Sequence, residues 1–558
     1  MNPQRIPVVH RCANQARPEF APLRAARVDF PRETDLLVVH VLICAVAYAL
    51  TWRAVFFELC LLPEASYQSG SIALGMLSHV PTLVLLLIGV LPLFVFRRRI
   101  TWEEIDDSMK MRNFVWIVAL VMGVTFIFSD YNYYYDHTFL VDRLILLALL
   151  VLVRVHPGFL FPFVVTLMAF ALQIHHPLPD AMWNWPDKRM PMHVLFALVG
   201  FVYLRIVVRT DSRLPIVLAI FVAAATYAHA GLSKMAIGPS LTTWLLENPT
   251  SNIFVSAHLQ GNWLGQLSES TVVSIAGFLR RIDIATNGYT LFAELGAALV
   301  LFDRRVARFF LAACAVMHLG IVMTAGIFFW KWILVDAAMI WYCGSLWTWN
   351  ASDVSIDRRA AVALPVATFM FALSHFATTG ILFAWWDTPH SQYFTYQAET
   401  ESGESYTLDP RYFVPYDIMF VQSRFYYVLH RPILPGTYGV THSYPTFRDL
   451  RDASVDALPE IYERHAVSFF NPALQNKLGR FIQRYAASAA QRGRKAFLPS
   501  WLSTPYHFQT TFPVDHYDGQ SKIDIVHVYF ERHFFDGAEI RQLERTEVMR
   551  IPIPEARR

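Results

Sequence analysis

Cysteine is scarce in this 558-residue chain, and the little there is stands scattered. The five thiols, Cys12, Cys44, Cys60, Cys314 and Cys343, share no metal-ligand spacing, and none follows Cys343. That excludes a disulfide framework and a thiolate metal site. Charge is thin as well. Charged residues make up 16% of the chain and the net charge is +3, so charge gives no reason to expect a nucleic-acid partner. There is no glycine-rich phosphate loop and no nucleophile elbow. Internal repeats and low-complexity tracts are absent too. Residues 1–34 are polar, carry arginines and lack a signal-peptide core, so they are expected to form a cytoplasmic tail.

What is abundant is apolar sequence. Hydrophobic residues make up 55% of the chain, and mean hydropathy is +0.34. Both exceed the norm for soluble domains. About eleven runs approach the ~20 residues a membrane-spanning helix needs. They lie near 36–57, 72–96, 113–129, 138–155, 158–174, 191–208, 214–233, 287–302, 306–326, 332–348 and 360–385. The expected fold is an all-α polytopic membrane bundle of about 9–11 transmembrane helices with a C-terminal extramembrane α+β domain. The bundle should occupy residues 35–386, with an outer loop at 235–280, and the second domain residues 387–558. Arginines at 97–99, 205, 209, 213, 304, 305, 308, 358 and 359 fall on one face in this count. By the positive-inside rule that face is cytoplasmic, which puts the N-terminus inside and the C-terminal domain outside. A bacterial inner membrane is the expected location, with lipid as one partner. In the C-terminal domain, 406–414 and 523–530 read as strands and 446–489 as helical.

Lys234 is the polar residue that stands out. It closes the run from Leu214 in the stretch Thr226-Tyr-Ala-His-Ala-Gly-Leu-Ser-Lys234. A lysine at that depth either snorkels to the interface or is functional. Ala228, Ala230 and Gly231 thin the helix beside it, so a neighbouring helix can approach and strip its water. Loss of hydration favours a neutral amine, which can serve as a base. Glu294, His318 and Asp336 also fall inside runs, where mutual hydrogen bonding between helices is the plainer reading. The outer loops are crowded with aromatics, including Tyr131, Tyr133, Tyr134, Tyr135, Trp183, Trp185, Trp244 and Trp263. An interfacial belt explains many of these, but not Asp130, Asp136 and His137 among four tyrosines. His175, His176 and Asp180 read as loop residues rather than a metal site, and no metal is expected. His527 and His533 read as partly exposed sheet residues.

Four landmarks, in order, give the chain a resemblance. The first is Asp130-Tyr-Asn-Tyr-Tyr-Tyr-Asp136-His137-Thr-Phe-Leu140, and the second is Tyr227-Ala-His-Ala-Gly-Leu-Ser-Lys234 followed by Trp244. The third is Glu294, opening an apolar run that ends in arginines. The fourth is His318 followed by Gly326 and Phe328-Phe329. Together they resemble the vitamin K-dependent gamma-carboxylase family, also called the horizontally transferred transmembrane domain (HTTM) family. The resemblance covers residues 36–345, with a weaker echo at Thr407-Leu-Asp-Pro-Arg-Tyr-Phe413. In place of the family's Trp-Asn-Asn before the histidine, this chain has Tyr134-Tyr135-Asp136.

The resemblance implies a carbon–carbon bond-forming lyase that uses reduced vitamin K or another hydroquinone, oxygen and carbon dioxide. Lys234 would be the catalytic base and His137 its catalytic partner. Tyr227, Asp136, Trp244, His318 and Glu294 would lie around the quinone or substrate, and a peptide or protein glutamate would be the acceptor. Two alternatives stay open: a quinone-dependent oxidase or epoxidase acting on another substrate, and a quinone- or lipid-binding scaffold without catalysis.

Overall fold

A computed structural model describes residues 33–105, 109–129, 131–178, 186–261, 266–346, 358–374, 383–492, 517, 519 and 521–554. The first part is helical: α1 (Glu33–Cys60), α2 (Ala65–Gln68), α3 (Ile72–Ser78), α4 (Val80–Val95), α5 (Trp102–Ile105), α6 (Lys110–Ile127), α7 (Leu140–Val155) and α8 (Leu160–Ala171). It continues through α9 (Pro186–Val207), α10 (Leu214–Ala236), α11 (Thr243–Glu247), α12 (Ser251–Leu259), α13 (Glu269–Gly296), α14 (Arg304–Ala325), α15 (Trp330–Leu346) and α16 (Arg358–Leu373). Among the described residues, 6 helices are long and apolar enough to cross a membrane, or 7 if the bent pair α3 and α4 is one span. That is fewer than the runs of the sequence suggest, for local reasons. The run 72–96 is broken by a 95° bend at His79, which is extended and caps α4, with Pro81 in that helix's first turn. The run 138–155 yields 16 helical residues and carries Asp142, Arg143 and Arg154. The run 287–302 is the end of the more polar α13, and the described part of 360–385 is helical to Leu373.

Helix α10 is the axis of the bundle. Every residue from Leu214 to Gly231 is buried, and α9, α13, α16, α1 and α15 pack around it. Its run of alanines lets those neighbours come close. Peripheral helices turn large apolar side chains outward. On α7, Leu140, Leu144, Leu147, Val151 and Val155 are exposed while Asp142 and Arg143 are buried. The buried charges join elements. Asp142 accepts from the amides of Ile72 (3.0 Å) and Ala73 (2.7 Å), satisfying donors that the start of α3 leaves open. Arg143 donates to the carbonyl oxygens of Ile127 (3.1 Å) and Ser129 at the end of α6 and to that of Thr138 (2.6 Å) ahead of α7.

The basic residues gather at one end. Arg99 donates to the carbonyl of Ile206, Arg205 to that of Glu104, and Arg154 to the Asn113 side chain. The second part of the chain packs at the other end. It contains β1 (Trp386–Asp387), β2 (His390–Thr400), β3 (Ser405–Leu408), α17 (Asp417–Gln422), β4 (Val440–Thr441), α18 (Tyr444–Arg451), α19 (Leu458–His465), α20 (Pro472–Arg492), β5 (Ile523–Phe535) and β6 (Ile540–Pro552). An antiparallel sheet of order β3-β2-β5-β6 carries α20 on one face, and β1 pairs with β4. The strand expected at 406–414 stops at Leu408, because Pro410 starts a 3₁₀ turn. The helical stretch 446–489 is three helices rather than one, broken ahead of Pro459 and Pro472. His527 and His533 are buried, not partly exposed: His527 bridges Glu399 and Glu547 (3.0 Å each), and His533 stacks on Tyr393.

Candidate functional site

The seam between the two parts holds Lys234, Glu294 and Trp244 of the predicted site. Lys234 lies in the last turn of α10, and Glu294 in the last turn of α13. Their side chains are almost fully buried, 9% and 6% exposed, and the Lys234 ammonium donates to both Glu294 oxygens at 2.6 and 2.9 Å. Gly231 permits this approach. A Cβ there would meet Leu295 at 2.9 Å and the Cβ of Glu294 at 3.2 Å. The Trp244 ring of α11 lies 5.6 Å from the Lys234 nitrogen, within cation–π range. Two of the three ammonium protons are used on Glu294, and the third has no hydrogen-bond acceptor among the described residues.

Trp244 is held in turn by the second domain. Its indole nitrogen donates to the carbonyl of Trp385 at 2.9 Å, and it packs with Leu291, Trp386 and Phe447. Asn248 donates to Asp387 (2.8 Å), and Ser256 pairs with Ser391 (2.7 Å). In the stretch 235–280, expected as an outer loop, the described residues form α11, α12 and the first part of α13. They form the floor on which the second domain rests. Burial pushes the Asp387 carboxyl up to about 7, against the pull of hydrogen bonds from Asn248 and Trp385. Burial raises Asp283, which caps α12 through the Ser251 amide (3.0 Å), to about 6.

Deeper in the bundle a second polar group joins three helices. The Tyr227 hydroxyl donates to Asp336 at 2.6 Å, and the His318 Nε2 lies 3.1 Å from the same oxygen. Tyr227 has one proton, and the shorter bond takes it, so Nε2 of His318 is the donor to Tyr227. Lys234 is close enough to act electrostatically on His318, and Glu294 on Tyr227. Lys234 with Glu294, and Tyr227 with His318 and Asp336, thus form two buried polar groups within electrostatic reach of each other, each bonding helix to helix.

His137 is not part of it. Its Nε2 bonds the carbonyl of Gln68 at 2.9 Å, and its ring faces Gly70 and Phe139, so it shares no partner with Lys234. The turn that carries it docks the second domain instead. Asn132 donates to Gln173 (2.8 Å) and Tyr416 (3.0 Å), Tyr134 stacks on Phe481, and Tyr133 meets Tyr485 edge-on. Asp136 accepts from Tyr131 (2.5 Å), Ser488 (3.2 Å) and Arg492 (2.9 Å). Burial opposes its ionisation, but those hydrogen bonds win and hold its carboxyl below the usual range. Asp136 therefore ties its turn to α20. Asp130, Asp180, Trp183, Trp185 and Trp263 lie outside the described residues. Among those residues no group of three His, Cys, Asp or Glu side chains could hold a metal.

Sequence reasoning missed a further buried polar cluster at the start of α9. Asp187 bonds Lys331 (2.5 Å) and Lys188 (3.0 Å), and Arg189 and His193 lie on the same stretch. Their spacing of four was a signal, because it stacks both side chains on one face of an otherwise apolar helix. Comparison with known protein families, characterised proteins and solved structures finds no match for this chain.

Proposed function

We propose that this chain is a multi-pass membrane enzyme of the hydroquinone-dependent carboxylase type, with Lys234 as its base and Glu294 as the base's proton partner. One observation carries the proposal: a lysine–glutamate pair with almost no solvent exposure at the covered seam between bundle and second domain. A buried ionisable pair is expensive and is kept most readily where it works. The outward apolar faces of the peripheral helices support a lipid environment. The basic end, from Arg97 to Arg305, is then cytoplasmic, with the seam and second domain outside.

The chemistry follows from the pair. Transfer of a proton from the Lys234 Nζ to a Glu294 oxygen, 2.6 Å away, yields a neutral amine beside a neutral acid. In a dry site this removes two opposite charges at little electrostatic cost. The amine can then take the proton of a phenolic hydroxyl, the step that starts hydroquinone chemistry. The residues present fit such a ring: one ammonium proton is uncommitted, and Trp244 offers an aromatic face. A reduced quinone, when bound, supplies the electrons for the reaction with oxygen. Trp244, Leu291 and the domain above keep bulk water from the amine.

The test is mass spectrometry of carboxylated glutamate in cells with and without this protein, together with extraction of quinone from the purified chain. A carboxylation signal that requires Lys234 supports the proposal, and its absence with no bound quinone counts against it. The bond of Lys234 to both Glu294 oxygens favours a second reading, a quinone- or lipid-binding scaffold in which the ion pair only ties α10 to α13. That reading predicts bound quinone without turnover.

A further inference from the structure

Near the start of α9 lies a cluster in which every unmet polar group is a donor. Arg189 is 2% exposed, and none of its three guanidinium nitrogens has a hydrogen-bond partner. Its guanidinium lies over the Phe383 ring, 5.1 Å from the centroid. One turn on, His193 is wholly buried and bonded through Nδ1 to the Tyr48 hydroxyl at 2.7 Å. Tyr48 has no other acceptor among the described residues, so its proton goes to Nδ1, and Nε2 is the protonated nitrogen. That Nε2 is unpartnered, as is the indole nitrogen of Trp52, whose ring lies 4.4 Å from the His193 ring. Tyr48 and His193 are both within electrostatic reach of Arg189. The nearest acid in sequence, Asp187, is already claimed by Lys331 and Lys188.

A buried guanidinium without an anion is among the most costly arrangements a fold can hold. Three donor side chains with no acceptor between them specify what is missing. The ligand must be anionic, must offer acceptors only, and must tolerate aromatic neighbours. The planar fork of arginine matches a carboxylate with two parallel bonds. We propose that Arg189, His193 and Trp52 form a binding site for a carboxylate, borne by a small aromatic acid or by the head of a fatty acyl chain. The site is separate from the Lys234–Glu294 pair and does not depend on the function proposed for that pair.

The test uses the full chain in nanodiscs of zwitterionic lipid, with thermal unfolding as the readout. Sodium benzoate, sodium oleate and inorganic phosphate are the probes. We expect one of the two carboxylates to raise the melting temperature saturably and phosphate to do far less. A response to benzoate assigns the ligand to water, and a response to oleate alone assigns it to lipid. Arg189→Met should melt no lower than the parent without anion, because it removes an uncompensated charge, and should lose the carboxylate response. Trp52→Phe removes one donor without changing charge. It should fold and shift the half-saturating concentration several-fold upward. Three results would overturn the proposal: no response to either carboxylate, an unchanged response in Arg189→Met, or an Arg189→Met protein that melts far lower or fails to fold, which would mean that Arg189 has a partner within the chain.

Discussion

Replacing Glu294 with leucine should cost far more stability than replacing Lys234 and Glu294 together. At the observed 2.6 Å, Coulomb's law with an effective dielectric constant of about 20 gives an attraction of about 6 kcal/mol. Desolvation of the two groups opposes it, so the net contribution of the pair is much smaller than that gross term. Removing one member leaves the other buried and uncompensated, a loss of about 3–5 kcal/mol. The double replacement Lys234→Met with Glu294→Leu fills similar volume with apolar groups and should return to within about 1 kcal/mol of the parent, or exceed it. The assay is thermal unfolding of all four proteins in nanodiscs, read as a double-mutant cycle. A coupling of several kcal/mol supports the pair as drawn. Additive losses would show that the two side chains are not partners, and would remove the proton acceptor on which the proposed chemistry rests.

Other consequences can be checked separately. Gly231→Ala places a Cβ 2.9 Å from Leu295 and should destabilise by about 1–3 kcal/mol while separating α10 from α13, measurable as a lower melting temperature. Asn132→Ala leaves the amides of Tyr134 and Tyr135 and the Tyr416 hydroxyl without their buried partner. It should cost about 1–3 kcal/mol and speed hydrogen exchange in α20. Asp387 is raised to about 7 by burial, so its neutral form is the one the fold favours. Its contribution to stability is complete below the unfolded value near 4 and is lost as pH rises through 7, and Asp387→Asn should flatten the melting temperature across that window.

The sequence carried much of the candidate site but not its pairing. The cluster Ala228, Ala230 and Gly231 announced a close helix contact at Lys234, because small side chains have that one steric consequence. Glu294 was visible as a carboxylate in an apolar run, yet 60 residues of chain separate it from Lys234, and no local pattern encodes so distant a contact. His137 sits in a motif rich in polar and aromatic groups, which suggested chemistry. The same composition suits a docking turn, where Tyr133 and Tyr134 pack with the second domain's core and Asn132 ties the turn to Gln173 and Tyr416. The bend at His79 was marked by Pro81, but the run from Ile72 to Phe96 is apolar apart from Ser78, His79 and Thr82, and hydropathy masked the break. Arg189 was hidden for a related reason: an arginine at a helix start reads as a boundary residue until its burial is known.

The central claim is that Lys234 gives up and takes a proton, and the measurement that meets it directly compares two substitutions. Lys234→Arg keeps a cation opposite Glu294 and so keeps the tie between α10 and α13, but a guanidinium stays protonated at working pH. Lys234→Ala removes both the tie and the base. Hydroquinone-dependent oxygen uptake by each purified protein in nanodiscs, with melting temperature recorded alongside, separates the two roles. The account predicts that Lys234→Arg melts near the parent and is as inactive as Lys234→Ala. Parent-level turnover in Lys234→Arg would contradict it and leave the pair a structural strut.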